Sequence, residues 1–248
     1  MKKILSKEQW RRRKLIRRSL LIAVIVSLFM IIMGFSVFFV LRIVTDRLGS
    51  NNNGKESITE TLSNGEVIQI HYLTPNPYSR PQTKLRRVKG VVVHYTANPG
   101  TSADNNRSYF EGLKTKKTTY ASSHFIIGLE GEVIQCIPLT EESYASNDRN
   151  NDTISIECCH PDETGAFNQE TYDSLVALTA ALCIEYNLES EDVIRHYDVT
   201  GKLCPLYYVE HEDAWITFKS DVMNKVETLR NTADNITGIG ENKPNSKQ

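Results

Sequence analysis

The sequence predicts an α/β fold: a single domain with a central mixed β-sheet flanked by helices, preceded by one transmembrane helix. Three observations carry this. Short β-branched runs alternate with helix-like segments between residues 88 and 196, the pattern of helices packed on a sheet. Leu129-Glu130-Gly131 reads as a tight turn between two strands, so part of the sheet is antiparallel. Residues 19–41 hold no charged side chain over 23 positions.

The elements follow in order. Residues 1–18 carry nine Lys or Arg and read as a cytoplasmic basic segment. The apolar run 19–41 is bracketed by Arg18 and Arg42. At 1.5 Å rise per residue it covers about 34 Å, enough for a hydrocarbon core of about 30 Å. Few cations follow it, so the positive-inside bias puts the N-terminus in the cytoplasm and the rest outside, in a single-pass cell-membrane protein. The run exceeds a signal-peptide core, and no small-x-small site follows closely, which favours a retained anchor. Residues 42–62 are polar, rich in Ser, Asn and Gly, and read as a linker. Residues 63–230 form the domain, and 231–248 read as a flexible tail.

Within the domain, Val88–Tyr95 (VKGVVVHY) predicts a buried strand. Ser102–Leu113 predicts a helix, with Ser102 or Asp104 as N-cap. His124–Gly128 and Glu132–Ile137 predict a hairpin, and Thr153–Cys159 another strand. Gln169–Asn187 is the clearest helix. Its residues Tyr172, Leu175, Val176, Thr179, Leu182, Cys183 and Tyr186 line one face, and Asn168 can cap it. Val193–His196 is a last short strand.

Charge excludes some functions. The 29 basic and 30 acidic residues give a net −1, but the halves differ. Residues 1–50 hold eleven basic and two acidic side chains, leaving 18 basic and 28 acidic in 51–248, a net of −10. A nucleic-acid binder needs a basic footprint, so nucleic acid is not an expected partner. A hydrophobic content of 40% argues against a disordered chain.

Three residues form a candidate constellation. His94 ends the VVV strand, His196 ends the Val193 strand, and Cys204 follows eight residues later. Gly201 lets the intervening segment loop back. Two imidazoles and a thiolate suit Zn²⁺, and three ligands leave a fourth position open for water. Spacing alone leaves structural roles open for each, since a strand-end His is often structural and Cys is often a small buried hydrophobe. Strand alternation puts Ser155, Glu157 and Cys159 on one face, opposite Ile154, Ile156 and Cys158. By itself Glu157 also fits an edge carboxylate or a partner of Lys202. The five cysteines do not form C-x-x-C pairs, and no disulfide is predicted.

At these positions the chain resembles the zinc-dependent N-acetylmuramoyl-L-alanine amidases of the amidase type 2 family, related to phage amidase lysozymes and peptidoglycan recognition proteins. The matching pieces are GVVVHYTA (90–97), SSHFIIGLEGEVIQCIP (122–138), NDTISIECCHPDETGAF (151–167) and IRHYDVTGKLCP (194–205). The resemblance implies His94, His196 and Cys204 as zinc ligands. It implies Glu157 as the carboxylate that acts on water, and Lys202 as the lysine two residues before the third ligand. Ser123 stands where some relatives carry a tyrosine, which favours Glu157 as the acid/base. The implied activity is membrane-anchored peptidoglycan hydrolysis at the bond between N-acetylmuramic acid and L-alanine. Peptidoglycan is then the substrate, and the membrane is contacted through residues 19–41. A binding module that keeps the fold without turnover is the alternative. A zinc protease is disfavoured, because no helix-borne H-E-x-x-H is present. His124 is expected beside the ligands or the substrate, His160 and His211 as surface or structural groups. Tyr95, Asn98 and Asn151 are expected to line the cleft, and Tyr172 and Tyr186 to face the core. Oligomeric state is not legible.

Overall fold

A computed structural model describes residues 58–61 and 67–238. The expected transmembrane segment 19–41 and basic segment 1–18 lie outside the described residues. Among the described residues no helix is long and apolar enough to cross a membrane.

Seven strands form one mixed sheet: β1 (Ile58–Thr61), β2 (Val67–Ile70), β3 (Val91–Tyr95), β4 (Phe125–Ile127), β5 (Val133–Gln135), β6 (Ile154–Cys158) and β7 (Val193–Arg195). Their spatial order is β1-β2-β5-β4-β6-β3-β7. β4, β6, β3 and β7 run parallel, and β5 runs against β4 as the hairpin predicted. β2 is parallel to β5, and β1 antiparallel to β2. The helices are α1 (Ala103–Lys116), α2 (Gln169–Tyr186), α3 (His196–Thr200), α4 (Leu206–Glu210) and α5 (Glu212–Gly238).

Alternation along the central strands builds two cores. On one face Ile126, Ile134 and Cys136 pack against Ala103, Phe110 and Leu113 of α1. On the other Val91, Val93, Ile154 and Ile156 lie under α2 and α5, which contribute Leu175, Leu178, Phe218, Val222 and Val226. Each fully buried aliphatic or Phe side chain contributes about 1.5–3 kcal/mol. Both predicted caps form: Ser102 Oγ accepts from Asn105 N–H at 3.2 Å, and Asn168 Oδ1 accepts from Thr171 N–H at 3.2 Å. The β4–β5 turn depends on Gly131, at φ +80°, where a Cβ would also stand 2.9 Å from Ser174 Oγ.

Three elements went unread in the sequence. β1 falls inside the segment taken as linker, and β2 follows soon after it. Both are four-residue strands held by ladder pairing rather than by a hydrophobic pattern of their own. α5 extends past residue 230, where the tail was expected to begin. Its Trp215, Phe218, Val222 and Val226 recur at helical spacing and bury against α2.

Candidate active site

The site gathers where parallel strands end. His94 is the fourth residue of β3 and Glu157 the fourth of β6, side by side in the ladder. They therefore project from the same face. His196 opens α3 directly after β7. Arg195, the residue before it, anchors that junction from the opposite face: it bonds Asp198, Glu212 and the Tyr208 carbonyl. The chain then reverses. Gly201 takes φ +76° and its N–H donates to the Tyr197 carbonyl at 2.8 Å. Tyr197 N–H in turn donates to the Cys204 carbonyl at 2.9 Å. This closed turn places Cys204 beside the histidines.

The three predicted ligands converge. Their donor atoms lie within 4.8 Å of one another. Cys204 Sγ is 3.8 Å from His94 Nδ1, and the two imidazoles meet edge-on with centroids 4.8 Å apart. All three residues are buried. The far side of each ring is occupied by one loop. His94 Nε2 lies 3.2 Å from Ser146 Oγ, and His196 Nε2–H donates to Asn147 Oδ1 at 2.9 Å. A proton on His196 Nε2 leaves its Nδ1 as a bare lone pair. That Nδ1 is buried and has no hydrogen-bond partner.

These observations fit a divalent metal. Burial, then the neighbouring His196 and Lys202, lowers the His94 pKa well below normal, and burial with Lys202 lowers that of His196. Both rings are thus neutral, the form that ligates. Burial pushes the Cys204 thiol up to about 12, with the Glu157 charge adding to it. An isolated thiolate is therefore disfavoured there, and only a cation would draw the proton off. Two neutral imidazoles and a thiol that needs a cation form a borderline-soft donor set suited to zinc.

Glu157 and Lys202 border the same cleft, a cavity of about 330 Å³. Glu157 Oε2 is buried without a hydrogen-bond partner. Desolvation raises its carboxyl pKa to about 8, against a smaller lowering by Lys202. Lys202 itself is exposed. Chemically, the site offers a carboxyl group able to exchange a proton near neutral pH, an exposed lysine and three side chains that could hold a metal ion.

Other expectations divide. Tyr95 lines the cleft; Asn98 does not, and Asn151 lines a different pocket. His124 is a core residue rather than a cleft residue. It is wholly buried, its Nδ1 lies 3.0 Å from Ser155 Oγ and its Nε2 donates to the Glu141 carbonyl at 2.9 Å. Burial pulls its pKa down to about 4. His160 is buried against the Tyr95 ring. Tyr172 faces the core, with its hydroxyl donating to Asp221. All five cysteines are free. Sequence reasoning missed Ser146 and Asn147, and also Tyr120 and Tyr144, whose rings meet at 5.6 Å on the cleft wall. These sit on loops without periodicity. The one local signal was the Ser-Asn-Asp turn, where Asn147 adopts φ +52°.

The fold and this cluster define an α/β domain with three buried side chains placed so that they could hold a metal ion. Residues 84–206 match the N-acetylmuramoyl-L-alanine amidase family, Amidase_2. Over 166 residues the chain is 36% identical to the N-acetylmuramoyl-L-alanine amidase CwlL of Bacillus licheniformis, covering 61% of this chain and 45% of that one. Over 181 residues it is 34% identical to the amidase BlyA of Bacillus subtilis (strain 168), covering 64% and 48%. Among solved structures, the PlyG catalytic domain matches with a TM-score of 0.54 at 28% identity, covering 64% of this chain and 94% of that one. Residues 84–206 form a domain of the amidase type 2 family. It spans about half the length of the curated relatives it matches.

Proposed function

We propose that this protein is a membrane-anchored, zinc-dependent N-acetylmuramoyl-L-alanine amidase. It would hydrolyse the amide between the lactyl group of N-acetylmuramic acid and the L-alanine of the stem peptide. The observation that carries this reading is the convergence of His94, His196 and Cys204 beside an unpartnered, proton-holding Glu157 in one cleft. The matched relatives, named as amidases of this type, support the substrate assignment.

His94, His196 and Cys204 would hold the ion. When bound, zinc supplies a Lewis acid that polarises a carbonyl and makes water more acidic. Ionised Glu157, the form that a cation held beside it would favour, accepts a proton from the attacking water and returns it to the departing alanine nitrogen. A carboxyl raised toward neutrality suits both halves of that transfer. Lys202 places positive charge where the carbonyl oxygen becomes negative. Ser146 and Asn147 hold the two imidazoles in register from behind. The products are the lactyl carboxylate and a protonated α-amine: one water is consumed, both of its protons end on the alanine nitrogen, and Glu157 returns to its ionised form.

The membrane reading rests on residues 19–41 and the basic residues before them. The domain is acidic overall, so attraction to an anionic wall would not concentrate it there; a tether would.

The test is product analysis. The full chain in detergent, zinc-loaded or chelator-treated, is incubated with peptidoglycan and the products are weighed by mass spectrometry. Free stem peptides and peptide-free glycan, appearing only with metal, are the expected result. Intact peptidoglycan from the zinc-loaded protein would overturn it.

A further inference from the structure

The six residues KLRRVK (84–89) concentrate four of the eighteen basic side chains of residues 51–248 and contain no acid. They precede β3. With Thr83, Glu142, Asn151 and Asp152, the four cations Lys84, Arg86, Arg87 and Lys89 line a pocket of about 430 Å³ that shares no residue with the catalytic cleft. Lys84, Arg86, Arg87 and Lys89 are all exposed. Lys89 pairs with Asp152 at 3.5 Å, but Arg149 already holds Asp152 at 2.7 Å. Lys84, Arg86 and Arg87 have no carboxylate partner among the described residues. The patch is therefore a local excess of positive charge in a domain that is otherwise acidic.

Its position is set by topology. The ladder directions place the starts of β3, β4, β6 and β7 on one edge of the sheet. The basic run enters that edge, ahead of β3. The catalytic groups come from the other end: His94 and Glu157 from the fourth positions of β3 and β6, His196 from just beyond β7. β1 points the same way as β3, because β2 opposes β1 and parallels β5, which in turn opposes β4. Ile58, the first residue of β1, thus lies on the basic edge too. The described part of the chain begins on the side that carries the cations and away from the side that carries the cleft.

We infer that the 84–89 patch docks onto an anionic phospholipid surface, which turns the catalytic cleft away from the membrane and toward the wall. This rests on the reading that residues 19–41 span that membrane. The tether supplies proximity and the patch supplies orientation. Each cation near an anionic surface shifts the docked-to-undocked ratio about fivefold, so three unpaired cations make orientation strongly favoured. A neutral surface gives no such bias.

The test uses the full chain reconstituted into vesicles of zwitterionic lipid, with or without an anionic phospholipid. A membrane-impermeant amine reagent modifies exposed lysines, and mass spectrometry reads Lys84 and Lys89 relative to Lys219 of α5 in the same sample. The expected result is labelling of Lys84 and Lys89 slowed about tenfold or more by anionic lipid, with recovery at about 1 M salt, where screening shortens to about 3 Å. Arg86→Glu with Arg87→Glu should restore Lys89 labelling on anionic vesicles while leaving muropeptide cleavage in detergent unchanged. Equal labelling on both vesicle types would overturn the docking. So would protection by a soluble glycerol-phosphate polymer without protection by anionic vesicles. A chain that fails to float with zwitterionic vesicles would remove the anchor itself, a result distinct from floating with unprotected lysines.

Discussion

Replacing Glu157 by Gln should abolish activity and stabilise the metal-free domain at the same time, and the two effects share one cause. The Glu157 side chain is half-buried at the cleft, and its buried Oε2 has no donor to compensate a charge. Burial raises its pKa from 4.5 to about 8, with Lys202 only partly opposing. The folded state therefore holds a proton that the unfolded chain has released. Between pH 4.5 and about 8 the folded state binds more protons, so stability falls as pH rises through that window. The gap of about 3.5 pH units, at about 1.4 kcal/mol each, sets a ceiling of about 5 kcal/mol above pH 8. Water reaching the carboxylate through the cleft reduces this to about 2–5 kcal/mol. Glutamine is close in shape and does not titrate. Urea unfolding of residues 57–248 in chelator should thus show wild type and Glu157→Gln converging below pH 4.5 and separating toward pH 8, with the variant more stable. Turnover of the zinc-loaded variant should fall about a hundredfold or more, as expected for loss of a general acid–base. Parallel stability profiles across that pH range would refute the buried-carboxyl argument.

Further outcomes follow from the same geometry. Cys204→Ala or His94→Ala should lower bound zinc from about one per chain to near zero by atomic emission, since each removes one of the three proposed ligands. Asn147→Ala removes the acceptor that fixes the His196 tautomer, and should weaken zinc about 10- to 100-fold in competition with a chromogenic chelator, with the fold intact by circular dichroism. Phe218→Ala empties a fully buried position between α5 and α2, and should cost about 3–5 kcal/mol in urea unfolding without changing zinc stoichiometry. Asn168→Ala removes the α2 N-cap and should cost about 1 kcal/mol.

Legibility in the sequence followed the range of the interaction that builds each feature. The β3, β6 and α2 positions were readable because burial writes a local pattern: VVV, ISI, and the 3–4 spacing of α2 are consequences of facing a core. His94, His196, Cys204, Glu157 and Lys202 were readable as a set only through the resemblance, since 110 residues separate His94 from Cys204 and no spacing rule joins them. Strand alternation did give the correct face for Glu157. β1 and β2 were not readable. Their stability comes from pairing with neighbours, and four residues carry too little pattern to announce it. His124 was misjudged for the opposite reason. A histidine between Ser123 and Phe125 looks chemical in sequence, whereas its bonds to Ser155 and the Glu141 carbonyl tie β4 to β6 and to the loop beyond β5.

That loop explains how the site is held. Between β5 and β6 the chain contributes Ser143 to the buried cluster at Ser155 and Glu141 to Arg80, which bonds it through two nitrogens at 2.8 Å. It then presents Ser146 and Asn147 to the two imidazoles. Asn150 Oδ1 accepts from the N–H groups of Ala145 and Ser146, which pins the bend. The histidines come from separate strand ends, and without this loop each ring could rotate about its own side-chain torsions. With it, both far nitrogens are engaged and the near ones face Cys204. The entropy of ordering two rings is met during folding rather than on metal binding, which is the purpose of an outer hydrogen-bonded shell. Disturbing Asn150 should therefore weaken metal affinity although Asn150 hydrogen-bonds neither histidine. Asn150→Ala should lower zinc affinity severalfold while Asn98→Ala, on a loop outside the cleft, leaves it unchanged. Equal affinity for both variants would mean that the imidazoles are fixed by their strands alone.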